Sequence, residues 1–146
     1  VLSAHFNLRE FLRSDAALRH GIDMTPPTEV IHALRDLCRH VLEPLRDFVR
    51  APLVITSGYR PLALNTLVGG SPGSQHIRGE AADIECPELS PRELCQAVLD
   101  AKLPIDQLVL EFPPHGWCHV SYSNRRQRGD VLTIRRGHAP QRGLHG

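Results

Sequence analysis

Three short stretches carry side chains that could do chemistry where the chain turns between strands. They are SGYRP at residues 57–61, SQHIRGEAAD at 74–83 and GWCHVSY at 116–122. Within them His76, Asp83 and His119 supply two imidazoles and a carboxylate, a donor combination suited to zinc. Three protein ligands leave a fourth position for water, the mark of a catalytic rather than a structural zinc site. Gly79 lets the chain turn after His76, and the small Ala81 and Ala82 let a returning strand pack closely, which brings Asp83 back beside His76. Alone, a histidine and an aspartate seven positions apart read as a surface histidine and an unrelated acid. The three stretches together, in this order, make a candidate site.

The elements that must position these groups follow from periodicity and turn chemistry. Phe6 to Arg13 reads as a short amphipathic helix. After MTPPTEV, apolar residues from Val30 to Phe48 recur at helical spacing, with Pro44 expected to kink the helix or end it early. LVITS (53–57) and AADIE (81–85) read as strands, separated by a glycine- and proline-punctuated loop with at most a helical turn. Ser90, Pro91 and Glu93 spell a capping box that opens a helix over 91–101. QLVLEF (107–112), WCHVSY (117–122) and DVLTIRR (130–136) complete the pattern as an antiparallel meander. Helices followed by strands predict one α+β domain spanning residues 1–146, with N-terminal helices packed on a small antiparallel sheet.

Composition limits the possible functions. The chain has 146 residues, 41 % of them apolar, enough for one core. A net charge of +1 gives no global field for nucleic acid or a membrane surface. Residues 123–146 hold six arginines against the single acid Asp130, a local +5 that leaves −4 for the rest. That segment reads first as a solvated arginine-rich surface, and second as a patch for an anionic polymer. Cys38, Cys86, Cys95 and Cys118 form no CxxC pair and are expected as free thiols. No apolar run is long enough to span a membrane, and no signal peptide is visible. A monomer is expected.

SGYRP, the asparagine and glycine pair of NTLVGG, SQHIRGEAADI and WCHVSY resemble the M15 zinc peptidases, the D-Ala-D-Ala carboxypeptidase-like group. Within it they are most similar to small members encoded by phages and prophages. The pattern S-x-H-x-x-G-x-A-x-D is met at Ser74, His76, Gly79, Ala81 and Asp83, and W-x-H-V at Trp117, His119 and Val120. The resemblance implies a hedgehog/DD-peptidase-like fold and one Zn2+ held by His76, Asp83 and His119. It also implies an arginine, Arg60, that polarises the scissile carbonyl. A guanidinium fork is a fixed double donor suited to that task. Tyr59 and Ser74 border this set, Tyr59 as a packing residue with a wet hydroxyl and Ser74 as a turn or substrate-supporting group rather than a nucleophile.

Many relatives carry an acid three residues before the last histidine; here that position is Gly116. Two groups could replace the missing base. Glu111 faces the same side as His119 if the hairpin loop has five residues, and the opposite side if it has four. His115 sits in the loop itself. Cys118, beside His119, alternates to the other face and is expected in the core. The implied activity is hydrolysis of peptidoglycan stem peptides, by an enzyme made in the cytoplasm and acting on the bacterial wall as a phage or prophage lysis enzyme or a virion component. The alternative is a catalytically silent zinc-bound module for wall recognition or virion structure, as hedgehog signalling domains resemble this fold without acting as known peptidases.

Overall fold

A computed structural model describes all residues, 1–146. α1 (Leu8–Leu12) begins at Asn7, whose backbone N–H donates to the Glu10 carboxylate at 2.9 Å. α2 (Asp15–Arg19), which the periodicity did not reveal, is capped by Ser14 Oγ accepting from the Ala17 N–H at 3.1 Å. α3 (Thr28–Leu37) runs through a π turn (Cys38–Leu42) into α4 (Glu43–Val49). Pro44 does not end this helix. The ladder widens so that the Glu43 N–H bonds the Cys38 carbonyl, and Pro44 falls in the first turn of α4, where its missing N–H is not needed.

β1 (Val54–Ser57), α5 (Leu62–Leu67), β2 (Ala81–Glu85), α6 (Pro91–Asp100), β3 (Gln107–Glu111), β4 (Trp117–Ser121), β5 (Asp130–Ile134) and β6 (Gln141–Arg142) complete the chain. The capping box at α6 forms as read, with Ser90 and Glu93 exchanging bonds of 3.1 and 2.9 Å. The strands make one sheet in the order β1-β2-β4-β3-β5-β6. The architecture is therefore a single α+β domain with a mostly antiparallel sheet, as the element order predicted.

The end of the sheet differs from the expected meander. β5 pairs with β3, and in parallel. β4 already has both edges occupied, by β2 and β3, so the chain leaving it crosses the end of β3 and adds at the free edge.

Register divides the sheet into two working faces. Ile55, Ile84, Cys118 and Leu110 pair in one cross-strand row, and they join α3, α4 and α6 in a single core cluster. Ser57, Asp83, His119, Val109 and Leu132 pair in the neighbouring row on the opposite face. All four cysteines are buried and unpaired, Cys118 on the core face as alternation required. No helix is long and apolar enough to cross a membrane.

Asp106 pins the crossover. Its carboxylate is fully buried and accepts from the Arg128 backbone N–H at 3.2 Å, Nε at 2.8 Å and Nη2 at 3.0 Å. Its backbone carbonyl takes the Asp130 N–H at 3.0 Å. Burial alone would raise the Asp106 pKa. The hydrogen bonds from Arg128 and the charges of Arg128 and Arg126 outweigh it and hold the carboxyl below its usual range. Asp106→Asn keeps the shape and removes the charge. It is expected to cost roughly 1–3 kcal/mol in urea denaturation at neutral pH. A depressed folded-state pKa stabilises fully above the unfolded value, about 4, and that contribution is lost as pH falls through the folded value. The gap between wild type and variant should therefore narrow in acid, and a gap that stays constant down to pH 3 would show that the charge is not what stabilises the crossover.

Candidate active site

The SGYR and SQH stretches interlock. β1 carries a bulge between Ile55 and Ser57, which lets Ser57 pair with Asp83 and sends the following residues across to His76. The Arg60 N–H donates to the His76 carbonyl at 3.0 Å. His76 sits in a 3-10 turn (Gln75–Arg78) that Ser74 opens, its Oγ accepting the His76 N–H at 3.2 Å. Gly79 closes the turn at φ 73°, and a Cβ there would lie 2.8 Å from the Val30 carbonyl oxygen, so both conformation and space demand glycine. β2 then returns Asp83 directly opposite His119.

His76 Nδ1 lies 2.7 Å from the Gly58 carbonyl oxygen. A carbonyl only accepts, so Nδ1 carries the proton and Nε2 keeps its lone pair. Nε2 is 3.3 Å from Asp83 Oδ1, and His119 Nδ1 is 3.0 Å from the same oxygen. Burial lowers the His76 pKa, with the charges of His119 and Arg60 acting the same way, and Asp83 only partly offsets them. Protonating His76 to suit Asp83 is thus disfavoured. Burial works against ionised Asp83 too, yet its carboxyl lies far below the usual range, with the hydrogen bond from His119 the largest lowering cause. One ligand atom from each of His76, Asp83 and His119 falls within 4.8 Å of the others. A neutral imidazole lone pair facing a buried carboxylate is a donor set that a divalent cation completes, and two nitrogens with one oxygen suit zinc.

The surroundings of this cluster form a groove. A cavity of about 700 Å³ and another of about 490 Å³ meet at Arg60, Val68, Asp83 and Trp117. Arg60 lines both lobes, and its buried Nε has no hydrogen-bond partner. Burial lowers the pKa of its guanidinium, while Asp83 and Glu111 pull it back up. Glu111 pairs with Trp117 through the five-residue connection 112–116, so alternation puts its side chain on the His119 face. Its carboxylate accepts from the Trp117 indole N–H and lines the larger lobe. Burial, reinforced by the Asp83 charge, raises the Glu111 pKa against the pull of His119, Trp117 and Arg60.

The other sequence candidates divide between the groove and the surface outside it. His115 is exposed on the turn and lines separate cavities beside Pro114, away from the His76 groove. Tyr59 is buried in the core cluster and borders the smaller lobe. Ser74 lines the larger lobe while capping the 3-10 turn. Sequence reasoning missed the Gly58 carbonyl that fixes the His76 tautomer, because a main-chain acceptor has no residue signature. It also missed the pairing of Asp106 with Arg126 and Arg128, which depends on the crossover.

An α+β domain that turns a His-Asp-His set, an acid and an arginine toward one groove has the layout of a peptide hydrolase. The description of the Peptidase M15 family matches residues 4–121, and the chain belongs to that family. No curated protein matches it. The family match stops at β4, so the crossover, β5 and β6 lie beyond it.

Gly116 explains the departure from the E-x-x-H pattern. A Cβ at residue 116 would lie 1.7 Å from the Glu111 carbonyl oxygen, so this connection admits no side chain there. Gly116→Ala is expected to lower stability by roughly 1–3 kcal/mol through the forced backbone shift, read as a drop in urea midpoint. An unchanged midpoint would mean that the 112–116 connection yields freely.

Proposed function

We propose that the protein is a zinc-dependent peptidase that cleaves the stem peptides of peptidoglycan, and that it serves as a phage- or prophage-type lysis enzyme. The observation that carries this reading is the convergence of metal-ligating lone pairs at His76, Asp83 and His119, with Glu111 and the unpartnered Arg60 Nε in the same groove. The wall substrate and lysis role rest on the likeness of SQHIRGEAAD and WCHV to the small phage-borne members of the family.

His76 Nε2, Asp83 Oδ1 and His119 Nδ1 would hold the ion. Bound zinc supplies Lewis-acid activation of water and of the peptide carbonyl. Glu111 accepts the proton of the attacking water and passes it to the leaving amine. The Trp117 indole N–H keeps the Glu111 carboxylate aimed while leaving its second oxygen free. Arg60 orients the scissile carbonyl and stabilises the negative charge that builds on its oxygen. The Gly58 carbonyl is a positioning group that keeps His76 in the ligating tautomer. His115 takes no part in this scheme. The two lobes accommodate peptide on both sides of the cut bond.

Mass spectrometry of digested wall sacculi tests the reading. Release of muropeptides with new amine termini should stop with a chelator and return with zinc. Glu111→Gln should keep about one zinc per chain while kcat falls roughly 10²–10⁴-fold. Arg60→Ala should cost about 10²–10³-fold in kcat. His76→Ala should lose the zinc as well as the activity, measured by metal content after dialysis. Chelator-resistant cleavage would sink the zinc assignment. Bound zinc with no turnover, unchanged by Glu111→Gln, would point to the silent recognition module instead.

A further inference from the structure

The larger lobe has a wall that the family match does not cover. Arg126 and Arg128 from the crossover, with Leu132 and Ile134 from β5, line it opposite the His76 cluster. Both guanidiniums lean on the buried Asp106 carboxylate, yet they are used differently. Arg128 commits Nε and Nη2 to Asp106 in a two-pronged pair. Arg126 reaches Asp106 only through Nη2, at 3.3 Å, and its side chain stays 52 % exposed. Its other guanidinium donors have no hydrogen-bond partner in the protein, and the residue lines the lobe. The nearby acid Asp130 does not line the groove, and it accepts from Gln107 Nε2 at 3.0 Å. One end of the groove therefore holds a braced cation with spare donors beside an apolar strip formed by Leu132 and Ile134.

We propose that Arg126 is a specificity-determining residue that binds a carboxylate of the peptide substrate in this lobe, with Arg128 and Asp106 holding it in position. The substrate class is a peptide whose carboxylate, a terminal α-carboxylate or an acidic side chain, lies close to the cut bond. Leu132 and Ile134 cover the apolar part of the same residue. The inference rests on the peptidase reading, but its test does not depend on turnover alone.

Trp117 is the only tryptophan and lines the groove, so its fluorescence reports peptide binding directly. Four synthetic stem-like peptides separate the two carboxylate sources: free or amidated C-terminus, each with Glu or Gln beside the target bond. The wild-type protein should favour one carboxylate form over its neutral counterpart by about tenfold to a hundredfold, in binding and in kcat/KM. Arg126→Gln should collapse that ratio toward one, Arg126→Lys should keep part of it, and the charge-matched control Arg142→Gln should leave it unchanged. The peptide pair that carries the ratio identifies the carboxylate. If hydrolysis fails throughout but Arg126→Gln still abolishes the fluorescence preference, the subsite stands and the peptidase reading falls. If peptides are cleaved but no carboxylate preference exists, or it survives Arg126→Gln, the subsite is wrong and the peptidase reading stands.

Discussion

Asp83 sits between two imidazoles in a place where water cannot reach it freely, and the rest of the fold is arranged around that contact. A buried carboxylate with no compensating partner is strongly disfavoured. Here one strand pairing delivers part of that compensation, and one turn brings in a second imidazole. β2 sets Asp83 opposite His119, and the 3-10 turn sets His76 across from both. Because the Gly58 carbonyl holds the His76 proton, the ring offers Asp83 a lone pair rather than a donor. The protein has thus fixed a negative oxygen and two nitrogen ligands at short range, a preorganised arrangement that a cation relieves.

The same sheet solves the packing problem. A side-chain period of two lets one strand serve chemistry and core at once. In β4, Trp117 and His119 face the groove while Cys118 and Val120 are fully buried among apolar residues. A one-residue slip of β4 would exchange these roles and place an imidazole in the core. Register is therefore specified by the core, and the site inherits its precision from it.

Several parts of this were legible in the sequence and others were not, for distinct physical reasons. His76 and Asp83 could be read from local turn and strand rules, and His119 joined them through the order of the three stretches and the family resemblance. The Ser90–Glu93 box could be read because capping is local. The side of the sheet on which Glu111 falls was conditional on one loop length, and the five-residue connection decided it. α2 was hidden because its apolar residues, Ala16, Ala17 and Leu18, are consecutive and show no helical spacing. That the helix runs on past Pro44 rather than ending could not be read, because a π turn changes the hydrogen-bond ladder rather than the apolar pattern. The parallel placement of β5 was invisible to local rules, since it depends on which sheet edge remains open. That is also why residues 123–146 read as a solvated segment, although two of their arginines are drawn to one buried acid.

The proposed mechanism has a displaced acid, and Gly116 gives a physical reason for the displacement. Position 116 and the backbone of Glu111 are neighbours across the turn; a side chain on residue 116 would start where the Glu111 carbonyl already is. The two positions therefore compete for nearly the same space. With the connection tight around Gly116, the proposed mechanism takes its carboxylate from the facing strand. Glu111 is placed for that proposed role because cross-strand partners share a face, so an acid paired with Trp117 projects to the same side as His119 two residues on. The chemistry asks for a carboxylate at a point in space near the metal ligands. In the proposed mechanism that point is supplied from the Glu111 side of the hairpin, since Gly116 leaves no room for a side chain on the other.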